Sequence, residues 1–313
     1  MTDASPTAHP PAKSFADLGV SPELSEALSA AGIEAPFPIR ELTIADALAG
    51  RDVCGKAKTG SGKTPAFGLP VLQRLGRTGG DRPRALILVP TRELAQQVDD
   101  ELAPLGEAVG VRTAAVYGGT DLDRQAKRLA RGVDVVIATP GRLIDLIERR
   151  VTSLDDLEIV VVDEADRMAD MGFLPEVRRL VDQTDAQRQT LLFSATFEPR
   201  IKALAMEFMR NPQQVQVAAN NTIVETITHR VHPVDGARKR DLLIDILGRR
   251  HTDQVLVFGR TKHGCNRLAQ QLETAGLRAV AIHGNKSQAQ RQKALNLFKA
   301  GKARVLVATD VAA

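Results

Sequence analysis

The sequence predicts an α/β protein made of two parallel-sheet units joined by a short linker, and three observations carry that expectation. Short apolar runs, too short for helices and apolar on both faces, recur between longer segments of helical character. A Gly-rich turn ending in Gly62-Lys63-Thr64 follows one such run, and the carboxylate-rich stretch Asp163-Glu164-Ala165-Asp166 closes another. The 313 residues are too many for one ordinary core and suit two of moderate size.

Taken in order, the first strand is expected at Asp52-Val53-Cys54, with Pro65-Ala66-Phe67 as the first turn of the helix that follows the Gly-rich stretch. Strands follow at Ala85 to Val89, Ala114 to Tyr117, Val135 to Ala138, Ile159 to Val162 and Leu191 to Phe193. After Asn211-Pro212 the stretch Ala218-Ala219-Asn220-Asn221 breaks the pattern, and strand-like runs resume at Val255 to Phe258, Val280 to Ile282 and Val305 to Ala308. The expected organisation is a disordered tail over 1–12, a first domain over 13–217, a linker over 218–224 and a second domain over 225–313.

Apolar residues make up 43% and charged residues 26% of the chain, which argues against a disordered or fibrous protein. The net charge of +4 is unevenly spread: residues 225–313 carry 16 Lys or Arg against 7 Asp or Glu, and the remainder carries 26 against 31. A basic second half suits a polyanion partner, and equally a solvated charged surface. Aromatics are only 3%, with one Tyr and no Trp, so nucleic acid would be held through its backbone more than by base stacking. Cys54 and Cys265 show no metal spacing, the polar, Pro-rich N-terminus lacks a signal-peptide core, and no run approaches a membrane span. A reducing, cytoplasmic location, no membrane and a monomer are expected.

Three carboxylates at the end of a buried strand are costly unless a cation balances them. The turn Thr59-Gly60-Ser61-Gly62-Lys63-Thr64 supplies a matching phosphate cradle. Its glycines let backbone N–H groups converge on phosphate, Lys63 reaches the outer phosphates, and Thr64 offers a hydroxyl to Mg²⁺. ATP with Mg²⁺ is therefore the expected ligand, with Asp163 on the metal and Glu164 orienting or deprotonating the attacking water. Ser194-Ala195-Thr196, after another buried strand, is expected to bridge its hydroxyls to Asp166 and link this site to neighbouring elements.

Further segments occur in an order that resembles a DEAD-box ATP-dependent RNA helicase of bacterial type, from about Phe15 to the last residue. They are Pro90-Thr91-Arg92-Glu93-Leu94-Ala95, Gly118-Gly119, Thr139-Pro140-Gly141-Arg142, Val257-Phe258-Gly259-Arg260-Thr261-Lys262, His283-Gly284, Gln288 with Arg291, and Ala308-Thr309-Asp310. The resemblance implies two RecA-like domains of the P-loop NTPase class, the second incomplete. They would close over ATP and single-stranded RNA and bend one strand so that a short duplex falls apart. By the same resemblance Thr91, Arg92, Gly119, Thr139 and Arg142 grip RNA backbone in the first domain. Arg260, Gly284, Gln288, Arg291 and Thr309 do so in the second, without reading sequence, and Asp310 approaches the ribose. A nucleotide-dependent RNA clamp without unwinding and a DNA translocase remain open alternatives.

Two departures from the family pattern stand out. Where the family carries Gln at the end of a Gly…Pro-x-Pro-Ile-Gln segment, the chain reads Pro36-Phe37-Pro38-Ile39-Arg40, and Arg40 has donors and no acceptor. Either adenine is distinguished from guanine less sharply, or Arg40 turns to solvent and backbone near Pro38, with Phe15 packed nearby, still selects adenine. The family would also continue past Ala313 with an Arg-Gly pair and an arginine-rich segment that approaches the γ-phosphate. The 313 residues are expected to be a fragment that binds nucleotide and turns ATP over poorly, with Val305 to Ala308 near an unfinished sheet edge.

Overall fold

The computed structural model describes residues 14–57, 62–77, 80, 82–216, 228, 230–249 and 254–309. Residues 1–12 and 218–224, expected as tail and linker, lie outside the described residues. The chain divides into two compact units, Met1–Asn221 and Thr222–Ala313.

The first unit opens with a single 3₁₀ turn, Ala16–Leu18, and helices α1 (Pro22–Ala30) and α2 (Pro38–Leu48), each started by a proline in its first turn. Alternation of strand and helix then runs β1 (Val53–Lys56), α3 (Lys63–Leu75), β2 (Ala85–Leu88), α4 (Arg92–Val109), β3 (Thr113–Val116), α5 (Leu122–Ala130), β4 (Val135–Ala138) and α6 (Pro140–Glu148). It continues through β5 (Ile159–Val162), α7 (Ala165–Asp170), α8 (Leu174–Val181), β6 (Gln189–Ser194), α9 (Pro199–Phe208) and β7 (Gln213–Gln216).

All pairings are parallel, in the order β3-β4-β2-β5-β6-β1-β7. Successive residues of a strand point to opposite faces, and both faces are covered. Val53, Ile87, Val161, Leu191 and Phe193 meet Leu24, Leu28, Ile44, Phe67 and Leu102 from α1–α4, with the Phe67 and Phe193 rings 5.5 Å apart. Cys54, Leu88, Val160, Val162 and Leu192 meet Leu143, Met168, Leu180 and Leu204 from α6–α9. At about 25 cal/mol per Å² of apolar surface, each such Leu or Phe contributes on the order of 1.5–3 kcal/mol. Gly68 lets α3 and α4 pack closely, since an added Cβ would collide with Leu102.

β7 went unread in the sequence. Its stretch Gln213-Gln214-Val215-Gln216 is polar because it lies at the sheet edge, where only Val215 is buried.

The second unit contains α10 (Lys239–Arg249), β8 (Val255–Phe258), α11 (Lys262–Thr274), β9 (Ala279–Ile282), α12 (Gln288–Lys299) and β10 (Val305–Ala308). Its parallel sheet runs β8-β10-β9. The expectation that Val305 to Ala308 lies near an open edge is wrong: β10 is the central strand, paired on both sides and buried throughout. Its even burial suits that place, with Val305 and Val307 against Leu247, Cys265 and Leu272, and Leu306 and Ala308 against Leu295 and Phe298 of α12. The edge strands are β8 and β9, and on β8 Leu256 is 53% and Phe258 58% exposed. Among the described residues no helix is long and apolar enough to cross a membrane.

Candidate nucleotide and nucleic-acid site

Because every strand of the first unit runs the same way, the loops leaving their C-terminal ends share one face of the sheet. β1 leads into α3 and β5 leads to Asp163, with β6 between them. This order sets Lys63 Nζ 3.4 Å from Asp163 Oδ1, with the two side chains only 5% and 4% exposed. At that length the pair is a poor hydrogen bond, and Lys63 Nζ has no hydrogen-bond partner among the described residues. Burial pushes the Asp163 carboxyl above its ordinary range; Lys63 opposes that shift, and the Glu164 charge adds to it. Thr64 is buried beside them. Thr59, Gly60 and Ser61 lie outside the described residues.

Glu164 has left-handed backbone, φ 51° and ψ 48°, and donates its N–H to Asp163 Oδ1 at 2.9 Å. The tight turn ends β5 and starts α7, which sends Asp166 back toward β6. There the Asp166 N–H reaches Ser194 Oγ at 3.3 Å, and Asp166 Oδ2 accepts from the Thr196 N–H at 2.9 Å. The link expected through two hydroxyls thus runs through one hydroxyl and one backbone amide.

Arg40 does not turn to solvent. It is 4% exposed, its Nε donates to the Gly62 carbonyl at 3.1 Å, and its guanidinium lies 4.8 Å from the centre of the Phe37 ring. Gly62 has φ 76°, and a Cβ there would press on Phe37 and Arg40 at 2.7 and 2.8 Å. Arg40 Nη1 is buried without a hydrogen-bond partner among the described residues, and burial lowers the guanidinium pKa, with Glu101 opposing. Phe15 is buried in the core and its carbonyl accepts from the Leu18 and Val20 N–H groups, so it braces the N-terminal segment. Phe37, which the sequence reading did not single out, is 56% exposed at this site.

On the same face, β3, β4 and β2 are neighbours, and their loops meet. Thr91 caps α4, its Oγ1 accepting from Leu94 N–H at 3.2 Å. The Arg92 guanidinium lies against Gly119, whose φ is 80° and where an added Cβ would collide with it. Arg142 donates through both terminal nitrogens to the Thr120 carbonyl at 3.3 Å. Thr139 starts α6 with its hydroxyl making no capping bond. Five residues expected to act together are thus gathered on one rim, and Thr120, a residue the reading missed, ties two of its loops.

In the second unit Arg260 and Gly284 are exposed after β8 and β9, Thr309 follows β10 half-buried, and Arg291 is half-buried on α12. Gln288 begins α12, and its side chain, like Asp310, lies outside the described residues. His283 is buried, its Nδ1 accepting from Asn285 N–H at 3.3 Å.

The donor set fits a phosphate-bound Mg²⁺. A buried ammonium without a close acceptor, a left-handed glycine at a helix start and a buried carboxylate on a neighbouring loop match an anion and a divalent cation together. Among the described residues no cluster of three or more His, Cys, Asp or Glu is placed to hold a metal by itself. Mg²⁺ takes one or two protein oxygens and completes its shell with phosphate and water.

A parallel sheet with a phosphate-binding turn after one strand and an acidic strand end beside it defines a P-loop nucleotide-binding protein. Family models extend this: residues 37–204 match the DEAD/DEAH box helicase family, and residues 238–313 match the helicase conserved C-terminal domain. The chain belongs to the DEAD/DEAH box helicase family. It is 42% identical, over 96% of its length, to the DEAD-box ATP-dependent RNA helicase CshA of Streptococcus pneumoniae, and spans 57% of that relative. With CshA of Geobacillus kaustophilus it shares 41% identity and spans 64% of it.

Among solved structures, S. cerevisiae Dbp5 bound to RNA and ADP BeF3 matches with a TM-score of 0.84 and 27% identity, over 96% of this chain and 76% of that one. A DEAD box protein from the hyperthermophile Methanococcus jannaschii matches with a TM-score of 0.62 and 33% identity, over 95% of this chain and 80% of that one. The two RecA-like parallel-sheet units agree with these structures.

Proposed function

We propose that the chain is the ATP- and RNA-binding core of an ATP-dependent RNA helicase that unwinds short duplexes. The observation that carries this reading is the buried Lys63–Asp163 pair, set on the same sheet face as the rim of Thr91, Arg92, Gly119, Thr139 and Arg142. Lys63 would hold the outer phosphates of ATP, and Thr64 and Asp163 would hold Mg²⁺, whose charge would be supplied to the phosphoryl group when it is bound. Glu164 orients the attacking water and takes its proton. Asp166, through Ser194 and Thr196, ties the catalytic turn to the end of β6. The rim contacts phosphate and 2′-OH groups, which makes RNA binding insensitive to sequence. Arg260, Gly284, Gln288, Arg291 and Thr309 add RNA contacts in the second unit, with Asp310 toward the ribose.

The test is linkage between the two ligands. The 313 residues should bind a non-hydrolysable ATP analogue more tightly when single-stranded RNA is present, and Lys63→Ala should abolish this. Their own ATP turnover should be slow, because the γ-phosphate-directed arginines expected from the resemblance are not among them. Equal analogue affinity with and without RNA would overturn the reading; equal coupling to DNA would favour a translocase. Coupled binding that never leads to duplex release, even in a longer chain carrying those arginines, would favour a clamp.

A further inference from the structure

The helix α5 has a feature that the proposed rim does not use. Arg124, Lys127, Arg128 and Arg131 stand at helical spacings of three and four residues, which places them along one stripe. All four are exposed and line a groove of about 960 Å³ between α5, α4 and the edge strand β3. Arg128 is occupied: it pairs with Asp99 at 3.3 Å and donates to the Thr113 carbonyl at 2.9 Å. Arg124, Lys127 and Arg131 make no ion pair within 4.0 Å among the described residues, and with Arg128 they outnumber the two carboxylates, Asp121 and Asp123, that line the same groove. Asp121 and Asp123 sit at the start of the helix, where Asp121 caps it by accepting from the N–H groups of Asp123 and Arg124. The two acidic residues of the groove stand at the helix start, beside Arg124 and one turn before Lys127, and the basic residues continue past them to Arg131.

The groove also contains the only tyrosine of the chain. Tyr117 is half-buried and held in place by its hydroxyl, which donates to Gln96 Oε1 at 2.9 Å. A fixed ring within a basic groove is the combination that holds single-stranded nucleic acid, the ring under a base and the cations along the backbone. The groove starts where the rim ends. Thr120 lines it, accepts from Arg142, and lies next to Gly119 in the loop that leads into α5.

We infer that the α5 groove is a second RNA-backbone site that continues the rim of Arg92, Gly119 and Arg142 outward, with Tyr117 as a base platform and Arg124, Lys127 and Arg131 on phosphates. It rests on the proposed function, since it extends that RNA path. From Arg124 to Arg131 the helix rises about 10 Å, enough for two or three successive phosphates of one strand. RNA is favoured over an acidic protein because the groove is continuous with the rim and contains an oriented ring.

The test uses the 313-residue chain with an ATP analogue and labelled single-stranded RNA of about 5 and about 15 nucleotides. The variant Arg124→Gln/Lys127→Gln/Arg131→Gln leaves Arg128 and its buried partner untouched. It should bind the short RNA as the parent does and the long RNA on the order of tenfold or more less tightly. Its salt slope on the long RNA should be shallower by about 1.5–2, since each lost single-strand phosphate contact removes about 0.7. Tyr117→Leu should weaken only the long RNA, leaving the salt slope as it was.

Equal affinity and slope for the long RNA in parent and triple variant, with Arg92→Ala weakening both lengths, would overturn the groove and leave the rim standing, and would point the stripe to an acidic protein. RNA affinity indifferent to Arg92→Ala as well as to the triple variant would overturn the RNA reading and the groove together. An unchanged far-UV spectrum and melting temperature show that the triple variant is folded.

Discussion

Arg40 Nε donates to the carbonyl of Gly62 at 3.1 Å, so a cation from α2 sits beneath the glycine that starts α3. The position would be filled by an amide in the family pattern, and a guanidinium there can donate to a base and cannot accept from one. The chain is expected to bind ADP and GDP with dissociation constants within about tenfold of each other, a gap worth at most about 1.4 kcal/mol. Arg40→Gln should widen that preference toward ADP. Titration of both nucleotides against both proteins decides it, and a strong parental preference for ADP that is lost in the variant would refute the assignment.

Lys63→Ala should abolish phosphate binding and also destabilise the first unit. Removing one member of a buried pair leaves the other charge unbalanced, a loss that reaches about 3–5 kcal/mol where the survivor stays ionised. Since burial already raises the Asp163 carboxyl, proton uptake there will hold the loss below that figure. Asp163→Asn, which keeps the shape and removes the charge, should stay folded and bind ADP with no dependence on Mg²⁺. Urea titration and ADP binding with and without Mg²⁺ give the answer, and a retained Mg²⁺ dependence in Asp163→Asn would count against its metal role.

Ser194→Ala leaves the Asp166 N–H without its acceptor, which costs about 1–3 kcal/mol where the group stays buried. Asp166→Ala removes the acceptor of the Thr196 N–H, an exposed bond that water replaces at smaller cost. Both variants should keep ADP affinity within a few-fold and lose the coupling between RNA and ATP-analogue binding. Intact coupling in both would show that the link is structural only.

Arg142→Ala, which breaks the contact with the Thr120 carbonyl, should weaken RNA binding evenly across sequences and lower the salt slope by about 0.7. Anisotropy titrations with unrelated RNAs at several salt concentrations measure both. A loss confined to one sequence would contradict a backbone contact.

The second unit should lose stability as pH falls. Burial, with the charges of Lys286, His263 and Lys262 added, holds the buried His283 imidazole below its ordinary value of 6.5. The unfolded chain therefore takes up a proton below about 6.5 that the folded chain refuses. This contribution is fully present above that pH and is lost as pH falls toward the folded value. The urea midpoint of the second unit should drop between pH 7.5 and 5.5 by more in the parent than in His283→Asn; equal drops would exclude His283 as the cause.

The central strands and the nucleotide motif were legible because local sequence encodes them. Strands covered on both faces are apolar at every position, as Ile159-Val160-Val161-Val162 is, and a phosphate turn needs its glycines and lysine in fixed order. Sheet order is not a local property, so β10 was expected near an unfinished edge although it is paired on both sides, and the polar edge strand β7 gave no signal. The choice between the two readings of Arg40 was open in the sequence for the same reason. An arginine reads as a surface residue until Phe37 and the Gly62 carbonyl are seen to close over it. The Arg92–Gly119 and Arg142–Thr120 contacts join loops distant in sequence, and nothing short of the fold brings them together.

Glu164 gives these motifs an evolutionary direction. Its left-handed backbone, φ 51° and ψ 48°, is one that glycine adopts freely and a glutamate adopts at a cost of about 1–3 kcal/mol. Selection for thermal robustness alone would therefore favour Glu164→Gly, and a lineage released from hydrolysis should discard this carboxylate early and gain heat tolerance by doing so. Under the proposed role of Glu164 on the attacking water, glycine at this turn would relieve the backbone and remove the carboxylate in one step, so heat tolerance and turnover pull this position in opposite directions.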